Sequence, residues 1–323
     1  MRHLLSATAG LALMLASGPA MANRVFVSNE RSNDITVLDG ETFEVIGTYP
    51  AGNRPRGITI SPDGTELYVC ASDDDLVRVF DPNTMEELHT LPSGPDPELF
   101  VLHPSGNPLY IANEDDNIVT VVDVKTRQVL AEIPVGVEPE GMGVSPDGRV
   151  VINTSETTNM AHFIDTETFE ITANVLVDSR PRFAQFTADG SKLYVTSEIG
   201  GTVSVIDPET QQITKKISFE IPGVLPEAIQ PVGARVTSDG KKLYVALGPA
   251  NRIAVVDAET DEVIDYLLVG QRVWQLAFNP DETRLYTTNG NSNDVSIIDV
   301  ETDEVLRSVQ VGQQPWGVVV APN

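Results

Sequence analysis

Cysteine is nearly missing from this 323-residue chain: Cys70 is alone. A single thiol excludes an intramolecular disulfide and a cysteine-rich zinc site. It is compatible with an oxidising compartment, because nothing depends on a bridge. Histidine is scarce as well, with four residues, and no two of His3, His89, His103 and His162 have metal-ligand spacing. That argues against zinc, copper or haem ligation, and no serine has a histidine partner that would make an acyl-transfer triad. Basic residues number 21 against 47 acidic ones, for a formal net charge of −26 with no basic run. A nucleic-acid binder needs clustered Lys and Arg to release counter-ions from phosphates. Nucleic acid and anionic membrane surfaces are therefore poor partners, and cations or basic protein patches are better ones.

What is present begins with a separate object. Residues 1–22, MRHLLSATAGLALMLASGPAMA, have a cationic start, an apolar stretch from Leu4 to Ala16 and Ala20-Met21-Ala22. This is the pattern of a secretory signal, and the apolar stretch is short for a membrane span. The expectation is cleavage after Ala22, with residues 23–323 in the periplasm as one domain. Hydrophobic residues make up 41% of the chain, enough to bury a core.

The rest is a tandem repeat. The tetrad S-P-D-G at Ser61 returns as variants at His103, Ser145, Thr187, Thr237 and Asn279, spaced by 42 residues except for one interval of 50. A second marker, D-x-x-T, falls at Asp39, Asp81, Asp123, Asp165, Asp207, Asp257 and Asp299, with the same long interval in the same place. Each unit holds four short alternating or apolar runs divided by turn residues, and no window keeps a helical period. Four strands in about 40–45 residues is the signature of a propeller blade. The fold class is all-β: a seven-bladed β-propeller with four antiparallel strands per blade. The mature chain expected from Asn23 starts at the second strand of a unit and ends on a lone first strand, Trp316–Val320. The C-terminal strand is therefore expected to join the N-terminal blade, since an open ring would leave two strand edges bare.

The recurring L-Y-V of Leu67–Val69, Leu193–Val195 and Leu243–Val245, with L-Y-I at Leu109–Ile111, L-Y-T at Leu285–Thr287 and V-x-V-I-D-x-x-T at Val203–Thr210, resembles the YVTN β-propeller family. A seven-unit exported member looks like the β-propeller proteins associated with pyrroloquinoline-quinone-dependent alcohol catabolism. That resemblance implies an accessory role in the periplasm beside an ABC transport system or a quinone dehydrogenase. In some cases it implies a part in supplying Ca²⁺ or lanthanide. Fold alone does not give function.

Function in a repeat protein lives where blades differ on one face. Chain order puts the S-P-D-G and D-x-x-T turns at the bottom. The other turns, and the loops leading into each innermost strand, lie at the top. In those lead-in loops the residue after the proline position should approach the channel: Trp316, Arg56, Glu98, Glu140, Arg182, Val232 and Trp274 around the ring. The residue before it is Gln314, Arg54, Asp96, Glu138, Arg180, Gln230 and Arg272. Acids thus gather on blades three and four, where Glu114 and Glu156 add to them from neighbouring loops. Asp96, Glu98, Glu114, Glu138, Glu140 and Glu156 form the expected hard-cation set, since Ca²⁺ needs six or more oxygens. Ion pairing with the flanking Arg54, Arg56, Arg180 and Arg182 is the competing reading, as is a merely solvated rim. Trp274 and Trp316 either seal the channel mouth or form, with Arg272, a wall for a planar or anionic ligand. The same four arginines would line such a site. The long interval places an apolar, proline-rich insertion between Ile217 and Pro231, either a tolerated loop or a docking ridge. A carboxylate-dependent lyase or hydrolase is the remaining alternative.

Overall fold

The computed structural model describes residues 24–322; the signal segment inferred at 1–22 lies outside them. Twenty-eight strands among the described residues form seven four-stranded antiparallel sheets, six of them stepping outward in chain order from the channel. The innermost strands are Pro55–Ile60, Pro97–Leu102, Pro139–Val144, Pro181–Phe186, Ala234–Val236, Val273–Phe278 and Pro315–Val320. The last of these pairs with Arg24–Asn29, in the register Val25 to Val320 and Val27 to Val318. Blade one is therefore built from both ends of the chain, and blades two to seven follow in order.

The turns form for the reasons their residues supply. In Ser61-Pro62-Asp63-Gly64 the glycine takes φ +69°, and its amide donates to the Ser61 carbonyl at 2.9 Å. The D-x-x-T aspartate closes its turn by accepting amides. Asp257 Oδ1 takes those of Glu259 at 3.0 Å and Thr260 at 2.8 Å, an arrangement that costs these short polar residues little.

The tyrosines of the L-Y-V, L-Y-I and L-Y-T repeats pack into the core, and those of blades five, six and seven bond to the next blade. Tyr68, Tyr110, Tyr194, Tyr244 and Tyr286 are all buried. Tyr194 donates to Asp261 in the next blade at 3.1 Å, and Tyr286 donates to the Gly40 carbonyl of blade one at 3.2 Å. Apolar clusters fill the spaces between sheets; Cys70 sits fully buried in one of them. Around the channel the innermost strands approach so closely that a Cβ on Gly57 would stand 2.5 Å from the Glu98 carbonyl oxygen. Each of these strands except that of blade six carries a register shift just inside its start. The shift re-aims the side chain that follows the proline position.

Candidate functional site

Six of the seven residues before the proline position adopt left-handed backbone: Arg54, Asp96, Glu138, Arg180, Arg272 and Gln314, with φ between 51° and 60°. This conformation is unusual for non-glycine residues. A ladder of side chains from the preceding blade holds it. Asn33, Asp75, Asn117, Asn159, Asn251 and Asn293 each accept, through Oδ1, the amide of one of those residues at 2.9–3.1 Å. The blade-six loop breaks the pattern. Gly201 replaces the asparagine and the insertion takes over. The insertion is anchored: Phe219, Ile221 and Ile229 are buried, while Leu225 at its tip is 73% exposed.

On this scaffold the top of the channel carries one continuous arginine–carboxylate network. Arg54 bonds Asp96, reaches Glu98 at 3.1 Å and holds Asp73 at 2.9 Å. Arg56 lies 2.7 Å from Glu98 and 3.8 Å from Glu140. Arg182 pairs with Glu140 at 3.1 Å, bonds Glu156 and stands 3.7 Å from Glu198. Arg180 contacts Glu156 at 2.6 Å and Glu198 at 3.3 Å; Arg272 takes Glu198 at 2.6 Å and donates to Gln230 at 2.7 Å. Two indoles close the circle. Arg56 lies over Trp316 at 4.7 Å, and Arg272 and Arg182 lie over Trp274 at 4.1 and 5.7 Å.

Glu98, Glu140, Glu156, Glu198 and Arg182 are all at most 4% exposed, so solvent screens these pairs little. Burial, the largest single influence on Arg182, pulls it down; Glu140, Glu156 and Glu198 outweigh that and raise it. The same balance raises Arg56, through Glu98 and Glu140. Among the acids, burial pushes Glu98 well up against the pull of Arg56, and neighbouring Glu140 adds to the rise. Burial raises Glu156 to about 7 in spite of Arg182 and Arg180. Glu198 runs the other way: its arginines overcome burial and lower it.

The six expected cation ligands do not converge on one point. Glu140 and Glu156 lie within the ion pairs of Arg182, and Glu138 turns aside to accept a hydrogen bond from Thr157. Asp96, Glu98 and Glu114 remain together, with one carboxylate oxygen of each within 4.8 Å of the others. Burial, then Glu140, raises Glu114 as well. The Arg54 guanidinium already serves Asp96 and Glu98 in this cluster. Glu198 and Asp73, outside the expected set, complete the network. Glu198 was within reach of sequence reasoning as the next member of the Glu114–Glu156 series.

These features define the class: an all-β, seven-bladed propeller whose blade-specific side chains meet at the mouth of the channel. A family model described as "Outer membrane protein assembly factor BamB" matches residues 5–217, and the chain belongs to that family. A second model, "Lactonase, 7-bladed beta-propeller", matches residues 164–320. No curated protein sequence matches the chain significantly. Among solved structures it is similar to hydrazine synthase of Kuenenia stuttgartiensis, at 20% identity and a TM-score of 0.79, covering 90% of this chain and 99% of that one. A putative 6-phosphogluconolactonase from Bacteroides fragilis aligns at 18% identity and a TM-score of 0.77, over 94% and 99% of the two chains. Dihydro-heme d1 dehydrogenase NirN aligns at 15% identity and a TM-score of 0.70, over 94% of this chain and 76% of that one. At these identities the structural likenesses show the fold.

Proposed function

We propose that this protein is a non-enzymatic accessory protein of the periplasm, linked to quinone-dependent alcohol oxidation or its ABC transport system, that binds a hard cation at the top of its channel. The observation that carries this reading is the Asp96–Glu98–Glu114 cluster. Its oxygens are within 4.8 Å of one another, and Glu98 and Glu114 are both raised, by burial first and with Glu140 adding to the rise. Three carboxylates supply up to about six of the oxygens that Ca²⁺ or a lanthanide takes. The incoming ion would replace one arm of Arg54, which keeps Asp73 through its Nε at 2.9 Å. The signal pattern of residues 1–22 and the net charge of −26 favour the same compartment and the same ligand sign.

Calorimetric and thermal titration with Ca²⁺ and La³⁺ tests the proposal. Saturable heat and a rising Tm are expected, both lost in Glu114→Gln. No heat and a fixed Tm in the parent protein would remove the cation. The exposed Leu225, on a firmly anchored insertion, favours a second reading as an interaction scaffold for a transport or dehydrogenase partner. Removing residues 222–228 without weakening a pulled-down partner counts against it. The lactonase match and the Glu156 value of about 7 favour a carboxylate-dependent hydrolase instead. That reading requires turnover of lactone substrates that Glu156→Gln abolishes.

A further inference from the structure

Below the ion-pair network the channel holds a cavity of about 350 Å³. Pro62, His103 and Pro104, from the turns of the bottom face, line its outer end. The cavity is therefore approached from the face opposite the candidate cation cluster. Apolar side chains line it on successive blades, Ile58, Leu99, Met142 and Phe183, interleaved with polar surface, and no Asp or Glu lines it. In a chain with 47 acidic residues that is a marked local exclusion.

Arg235, Gln275 and Trp316 belong to this wall, on consecutive blades six, seven and one. Arg235 is the one charged side chain among the described lining residues, His103 apart. It lies over the Phe183 ring at 4.7 Å and donates only to its own neighbour's carbonyl, Ala234, at 2.8 Å. No carboxylate among the described residues is within ion-pair distance of it. Gln275 is 4% exposed, and neither its amide nitrogen nor its amide oxygen has a partner. Trp316 is fully buried with its indole N–H unpaired. Native proteins rarely leave buried donors unmet, because each costs about 1–3 kcal/mol. The Gln275 and Trp316 polar atoms are closed off from the cavity, which leaves the Arg235 guanidinium as the cation that faces it without an acid partner.

We propose that the channel is a binding site for a small organic monocarboxylate, entered from the bottom face, with Arg235 taking the carboxylate and the apolar wall taking its body. One cation matches one negative charge, and a guanidinium holds a carboxylate through paired N–H donors. The volume suits a ligand of about a dozen non-hydrogen atoms, at roughly 30 Å³ of liquid per water-sized group. Inorganic phosphate or sulfate would leave the apolar wall unused. Burial alone pulls Arg235 down to about 10, as expected of a cation lacking its counter-ion.

Benzoate is the probe, with benzamide as its neutral counterpart and inorganic phosphate as the anion without an apolar body. Titration followed by calorimetry and tryptophan fluorescence should show saturable benzoate binding. Benzamide and phosphate should bind at least about tenfold more weakly. Arg235→Met should weaken benzoate by at least about tenfold with Tm unchanged, and Arg235→Lys should restore part of it. Benzamide or phosphate binding as tightly as benzoate overturns the proposal. So does benzoate binding undiminished in a folded Arg235→Met, and so does no saturation with either benzoate or hexanoate. If Arg235→Met fails to fold, the benzoate–benzamide comparison on the parent protein decides. Cation titration of the top face reads a separate site and can fail or succeed independently.

Discussion

Arg182 spans the seam between two blades: its Nη2 stands 3.1 Å from Oε1 of Glu140 on the neighbouring innermost strand, with both side chains at most 4% exposed. The pair shows what the mouth of the channel is made of. Charges that a repeat would otherwise place on its surface are here turned inward and held by one another.

Breaking that arrangement from one side should be costly. Arg182→Met leaves Glu140, Glu156 and Glu198 buried around an apolar side chain. The expected loss, read by urea unfolding, is about 3–5 kcal/mol. Arg180→Ala, whose side chain is 46% exposed, should cost only about 0–1 kcal/mol. Equal effects would show that burial of the network has been misjudged.

The pH profile should reveal the raised acids. Glu156 releases its proton at about 7 in the folded protein, against roughly 4.3 in an unfolded chain. The folded state therefore holds the extra proton between those values, and stability falls as pH rises through that window. Asp189 and Asp239, bonded in their turns, are lowered to about 2. Their contribution is present above the unfolded value of about 3.9 and is lost on acidification below it. Tm should thus peak in mild acid, and Glu156→Gln should flatten the decline between pH 5 and 7. An unaltered slope in the variant refutes the assignment.

Backbone closeness at the channel gives a third test. Gly57→Ala would drive a methyl to 2.5 Å from the Glu98 carbonyl oxygen. Overpacking against backbone of this kind costs about 1–3 kcal/mol or more, measurable as a fall in the denaturation midpoint.

Ring closure gives a fourth. Removing residues 315–323 strips blade one of its innermost strand and leaves Arg24–Asn29 unpaired along one edge. The truncated chain should unfold at lower temperature, over a broader transition, and should associate through the bare edge. A sharp, unshifted transition would mean the closure is dispensable.

Much of this architecture was legible in the sequence. Two markers with a shared period gave the blade count, and the starting phase gave the closure. Channel-facing positions such as Glu98, Arg182 and Trp316 were readable because every blade repeats the same lead-in loop. Pairing was not legible. Whether Glu140 met a cation or Arg182 depended on a separation across blades that no spacing encodes. Glu138 was placed with the acids by its loop position, yet its left-handed backbone turns it toward Thr157. Arg235 and Gln275 were missed because they stand inside strands, where no motif sets them apart. The periodic Asn33, Asn117, Asn159, Asn251 and Asn293 were a third marker in plain view. Their meaning needed the amides they cap.

The shared blade also sets the order of events in folding. Its outer three strands precede the other blades in the chain and its inner strand follows them all, so the circle stays a horseshoe until Pro315–Val320 is made. Because Arg24–Asn29 and Pro315–Val320 meet in that sheet, linking residues 24 and 322 and cutting at any other lead-in loop should give a permuted protein with the same seven blades.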